Sequence, residues 1–346
     1  LAGPRLFGLD ALRGFAALCV VLFHYTLRYP RFMAGLGMAS TPLFAGFTQE
    51  DAGIVPVLWF FLISGFVIAW TVERSRTPAD FIVSRFSRLY PAYWASMILT
   101  VGLGLLWPLP GVKLSTAQVL VNLTMLQEYV LVPNVAGVYW SLAVELLFYI
   151  YAAVLLAAGL WRHVHRVALA WIVLALAAFF AERAGMYVPW RVSQILLLRY
   201  APFLAAGMML YALWRGHHPL SSAITLGLCT LAIIISYHPL PAATCLAAMV
   251  IIAVSARGEA GWFAPSPLVW LGGISYALYL SHEHLGYFCM RMADLAGAPH
   301  WLGIASASVA AIGVACGITY AIERPALRWI RATWRMHVAE KAGVLF

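Results

Sequence analysis

The stretch LDALRGFAALCVVLFHY, residues 9–25, is apolar enough to cross a membrane, yet it carries Arg13 near its start and His24 near its end. Ionisable side chains inside a bilayer are costly and are functional candidates by default. An imidazole takes up and returns a proton near neutral pH. A guanidinium fork holds oxyanions. Eleven helical steps of about 100° return within roughly 20° of the starting direction, so the two residues share a helix face about 16 Å apart. A plain alternative stands beside this one: Arg13 snorkels to headgroups while His24 sits at the opposite interface.

Other residues raise the same question. Arg85 and Arg88 form an i, i+3 pair just ahead of Pro91, which starts or kinks a span. Taken alone they read as a basic membrane flank. Glu145 lies in the apolar run YWSLAVELLFY and must be protonated or paired. Ser64 interrupts FFLISGFVI, where a small polar residue hydrogen-bonds across helices. Tyr139 and Trp140 suit an outer aromatic belt. His282 and His284 are two apart, so they point about 200° away from each other on a helix and do not share a metal. The five cysteines form no CxxC pair and read as small buried apolar groups. No metal is expected.

These residues need a scaffold, and composition names its class. The chain has 346 residues, 63% hydrophobic and only 10% charged, against about 25% charged in soluble domains. A soluble core that large would leave too little polar surface to cover it. The net charge of +9 therefore points to membrane edges and anionic headgroups rather than to nucleic acid. The expected fold is all-α: a single polytopic membrane domain over 1–346. Its ten spans are expected at about 9–29, 53–72, 87–107, 138–160, 166–184, 195–214, 220–236, 239–256, 268–289 and 301–322.

A shorter, more polar segment at 115–131 reads as an interfacial or re-entrant helix with Ser115 as its N-cap. The chain starts at Leu1, which suggests trimming. The first apolar run reads as a retained span rather than a signal peptide. Ten spans put both termini on one side. With that side cytoplasmic, fifteen of the 22 Lys and Arg residues fall there, among them Arg5, Arg74, Arg162, Arg215, Arg324 and Arg331. The remaining seven, Arg28, Arg31, Lys113, Arg183, Arg191, Arg199 and Arg291, lie opposite. His163/His165 and His217/His218 read as ordinary flanks, and Glu323-Arg324-Pro325 as the end of the last span. Asn122-Leu123-Thr124 is a weak glycosylation motif.

GLDALRGFAALCVVLFHY, with an arginine, ten residues and a histidine, resembles the first helix of the membrane acyltransferase type 3 family. FFLISGFVI at 60–68, RFSRLYPAYW at 85–94, VYWSLAVELLFY at 138–149, ISYALYLSHEHL at 274–285 and IERPA at 322–326 follow in the same order. The resemblance implies transfer of an acyl group, usually acetyl, from cytoplasmic acyl-CoA to a hydroxyl of a glycan or glycosylated small molecule. It implies a multi-pass protein of the bacterial inner membrane, with no appended esterase-like domain. Arg13, Arg85 and Arg88 would hold the donor phosphates. His24 would be the general base, or a nucleophile acylated in passing. Glu145 would support His24 as the acid of a triad does, or serve as a structural bond. Tyr139 and Trp140 would stack on a sugar, Ser64 would line the acyl channel, and His282 would contact substrate. Ser281 and Glu283 depart from the family's pattern and leave the acceptor's identity open. A transporter or flippase of lipid-linked or acylated cargo is the competing expectation.

Overall fold

The computed structural model describes residues 6–35, 49–107, 114–258 and 266–341. Arg5 and Lys113, counted above among the flanking cations, lie outside them. Among the described residues there is no strand, and fourteen α-helices follow one another. They are α1 Phe7–Phe23, α2 Tyr29–Gly35, α3 Gln49–Arg74, α4 Pro78–Leu106, α5 Thr116–Asn122, α6 Trp140–Ala157 and α7 Val164–Arg183, then α8 Trp190–Ile195, α9 Ala201–Trp214, α10 Pro219–Ser236, α11 Pro239–Ala256, α12 Pro267–Leu295, α13 His300–Gly317 and α14 Arg324–Lys341. Among the described residues, eight helical segments are long and apolar enough to cross a membrane. Two more expected spans coincide with α9, which is shorter, and α12, which carries the polar SHEH sequence.

Several expected boundaries move, each for a local reason. The third span begins at Pro78, not 87. Thr77 accepts the Asp80 N–H, Asp80 accepts the Thr77 N–H, and Pro78 occupies the first turn, where its missing donor costs nothing. Pro91 therefore lies inside α4 and does not start it. The helix expected from 195 begins at Ala201. Glu323-Arg324-Pro325 does not end a helix: a π-helical stretch, Ile318–Glu323, carries α13 directly into α14. Ser115 does cap α5, in a reciprocal capping box with Gln118.

The described chain divides into two compact units, three of whose boundaries fall inside α1, α6 and α12. The first comprises Leu1–Val20, Gly46–Ser75 and Val144–Gly273. Lipid provides little hydrophobic drive between helices, so close packing must hold them, and small residues allow it. In this unit α3 crosses α9 at Gly65 and Gly207: a Cβ on Gly65 would overlap the Leu204 carbonyl, and one on Gly207 would overlap that of Leu62. Gly14 on α1 and Gly272 on α12 meet backbone in the same way. At the end of α3, Glu73 accepts from the Tyr211 hydroxyl and from Arg215 Nη2 (2.9 Å) and Nε (3.1 Å). Those bonds hold the Arg215 pKa above its ordinary value. His165 and His218, from the two pairs read as flanks, stack with ring centroids 3.9 Å apart.

The second unit comprises Val21–Ala45, Arg76–Ala143 and Ile274–Phe346. Here α4 packs along α14 and the π-helical stretch before it. Asn122 organises the segment between α5 and α6. Its amide donates to the Gln118 and Pro133 carbonyls, its oxygen accepts the Val135 N–H, and its carbonyl accepts the Tyr93 hydroxyl at 2.6 Å. The Asn122 side chain is fully buried and so is out of reach of glycosylation.

Candidate active site

In the second unit α12 presents Tyr279, His282 and Glu283 to the rest of the fold. Tyr279 and Glu283, an i, i+4 pair on one face, fix the start of α6. The Tyr279 hydroxyl shares a 2.6 Å hydrogen bond with Ser141 and reaches the Val138 carbonyl at 3.1 Å. A Glu283 oxygen accepts the Val138 N–H at 3.1 Å. Gly137 makes room for that carboxylate, since a Cβ there would stand 2.7 Å from Oε1.

His282 has no solvent exposure, and its Nδ1 faces the Leu278 carbonyl at 3.1 Å and the Tyr279 carbonyl at 2.9 Å. Carbonyl oxygens only accept, so Nδ1 carries the hydrogen. In the neutral ring Nε2 is then a bare acceptor, and it points at His24 Nδ1, 3.2 Å away. His24 must donate from Nδ1, which leaves its own Nε2 unprotonated. The arrangement fixes a tautomer as the acid of a catalytic triad does, with a neutral imidazole in the acid's place.

The backbone at His24 is unusual. A π-helical turn spans His24–Arg28 between α1 and α2, with the Tyr29 N–H bonded to the His24 carbonyl. Single π turns inside α-helices occur frequently at functional sites. The wide turn buries His24, Tyr25, Thr26 and Leu27 in succession. Tyr25 donates its hydroxyl to the His282 carbonyl at 2.8 Å, and its ring occupies the space that a side chain at Gly286 would need. His282 is thus gripped at backbone and ring by two consecutive residues.

The remaining expected residues fall as follows. Tyr139 is fully buried, its ring 4.9 Å from that of Tyr93, so it is no lipid-facing belt residue. Trp140 is half-buried at the first turn of α6. Arg88 forms an ion pair with the buried Glu323, and its guanidinium lies over the Tyr276 ring. Arg85 donates to the Ser84 hydroxyl at 3.3 Å. In the first unit, Ser64 donates to Glu145 Oε1 at 3.0 Å, and the Tyr149 hydroxyl donates to the same oxygen. The structure therefore joins His24 with His282, and Ser64 with Glu145. Arg13 is half-buried on α1. The sequence reading passed over Tyr25 and the π turn, and took Glu283 only as a departure from the family's pattern. The only local signal for any of them was Glu283 standing in place of a small or aromatic residue.

An all-helical polytopic membrane scaffold with an oriented pair of buried imidazoles fits an enzyme that moves protons during group transfer. Residues 6–320 match the acyltransferase domain of acyltransferase type 3 proteins, and the chain belongs to that family. It is a multi-pass membrane acyltransferase. It is similar to the exopolysaccharide production protein ExoZ of Rhizobium meliloti (strain 1021), 29% identical over 302 residues that cover 79% of this chain and 89% of that protein. It is also similar to the acyltransferase MdmB of Streptomyces mycarofaciens, 29% identical over 153 residues that cover 42% of this chain and 38% of that one. No solved structure matches it. Membership of the family replaces the transporter expectation.

Proposed function

We propose that this chain transfers an acyl group, acetyl in the simplest case, from cytoplasmic acyl-CoA to a hydroxyl of a glycan or glycosylated small molecule. The observation that carries the reading is the His24–His282 pair, because it leaves His24 Nε2 unprotonated. In the proposed reaction that nitrogen removes the proton from the acceptor hydroxyl while the oxygen attacks the thioester carbonyl. The tetrahedral intermediate collapses with cleavage of the C–S bond. The imidazolium then returns its proton to the leaving thiolate, so the enzyme ends as it began.

The acceptor class draws on the exopolysaccharide role in the name of one relative. The donor rests on the match of this sequence to the family's motifs, which also supports Arg13, Arg85 and Arg88 as donor-binding residues. The excess of basic residues on the side of both termini supports a cytoplasmic-membrane protein with those termini inside. Glu145, held by Ser64 and Tyr149, is proposed to take part in catalysis.

Free thiol released from acetyl-CoA by the purified protein, with and without candidate glycans, tests the reading. Acceptor-dependent release is expected, falling about 10²–10⁴-fold in His24→Ala. Undiminished release from a folded His24→Ala protein would overturn it.

A further inference from the structure

Glu283 uses one oxygen and leaves the other unmatched. Oε2 accepts the Val138 N–H at 3.1 Å, and among the described residues no other hydrogen bond and no cation pairs with the carboxylate. Oε1 stands behind Gly137, where a Cβ would come within 2.7 Å of it. Gly137 is exposed, while Glu283 is only 8% exposed. The missing side chain at 137 is therefore the opening through which Oε1 is reached. Holding Val138 in place needs a single oxygen, so the second has no structural task.

Tyr287 follows one helical turn on, on the same face of α12, and is 5% exposed. Its ring packs on Tyr29 and stacks on Phe32, and its centre lies 6.5 Å from that of His24. Its buried hydroxyl has no hydrogen-bond partner among the described residues. Buried polar atoms are nearly always paired, because stripping one of water without a partner is costly. Here two unmatched groups stand a turn apart, the second packed beside the imidazole proposed as the base. The carboxylate accepts only, and the phenol both donates and accepts. A saccharide answers both at once, since each of its hydroxyls donates and accepts, and it still leaves a hydroxyl for His24.

We infer that Glu283 and Tyr287 line the acceptor site. Glu283 Oε1 accepts from one ring hydroxyl of a saccharide, and the Tyr287 hydroxyl bonds a second. The pair thereby selects the acceptor and orients the hydroxyl presented to His24. This rests on the glycan acceptor proposed above.

The test uses the full chain with acetyl-CoA and a panel of methyl glycosides and exopolysaccharide-derived oligosaccharides, with thiol release as the readout. Glu283→Gln keeps an oxygen for the Val138 N–H but puts an amide donor where Oε1 stood. It should raise KM for the best glycoside by about 10- to 100-fold and leave KM for acetyl-CoA unchanged. Tyr287→Phe keeps the ring beside His24 and should raise the same KM by about 3- to 10-fold. Monodeoxy forms of that glycoside identify the partner: removing the hydroxyl that meets Glu283 should cost the wild type 10-fold or more and Glu283→Gln little. An unchanged acceptor KM in both folded variants overturns the inference. So does a parallel rise in KM for both substrates, which would show that the residues act through the fold. A wild type whose thiol release no saccharide stimulates would remove the glycan reading itself, and the inference with it.

Discussion

His282 Nε2 lies 3.2 Å from His24 Nδ1, and two backbone carbonyls hold the hydrogen on the far nitrogen of His282. His282 thus decides which nitrogen of His24 can act as a base. In the proposed reaction it is a positioning residue, since it acts through another ring. His282→Ala should lower kcat by at least about 10-fold while leaving KM for the donor nearly unchanged, a smaller loss than the ~10²–10⁴-fold expected on removing the base. His282→Gln keeps an acceptor for the His24 N–H and should recover part of the rate. A His282→Ala enzyme with normal kcat and raised KM would mean that the residue contacts substrate instead.

Gly137 and Glu283 are coupled by space. A methyl at 137 would stand 2.7 Å from the Glu283 carboxylate, which also holds the Val138 N–H. Gly137→Ala should therefore lower stability by about 1–3 kcal/mol through overpacking. In a Glu283→Ala background the same change should cost much less, a non-additivity that thermal unfolding of the four proteins would reveal. Equal costs in both backgrounds would show that the carboxylate yields freely.

Arg88 and Glu323 form a pair in which the acid is buried, its side chain 2% exposed. Removing the arginine strands that charge, so Arg88→Gln should destabilise by up to about 3–5 kcal/mol. Arg88→Gln combined with Glu323→Gln should regain most of it. If the double variant also restores KM for acetyl-CoA, Arg88 acts through the fold rather than on the donor.

The α3–α9 crossing has no spare room. Gly65→Ala and Gly207→Ala each drive a methyl into a carbonyl of the facing helix, and both should abolish folding or sharply lower the unfolding temperature in detergent. Gly227→Ala on α10, with no atom within 4 Å of the added methyl, should be tolerated. Equal tolerance at all three positions would contradict the backbone contact.

Much of the scaffold was legible. A run of about 20 apolar residues satisfies its own backbone in lipid only as a helix, so hydropathy located the helices. Ser115 and Gln118 announced the start of α5 because a capping box is a local device. Legibility failed where a stronger local signal lay upstream, as at Thr77 and Pro78, which take the start of α4 from the neighbourhood of Pro91. It failed again at the π turn of His24, since the extra residue in that turn has no composition of its own.

The sequence by itself determined an all-helical membrane chain and, by resemblance, the family, with His24 as a candidate for its reactive imidazole, because hydropathy and motif order are written along one dimension. Partnership is not. That His24 faces His282, that Glu323 takes Arg88, and that Arg331 comes to Ser84 across 247 positions of chain were decided by tertiary structure alone. Which donor meets which acceptor depends on where helices distant in sequence are packed.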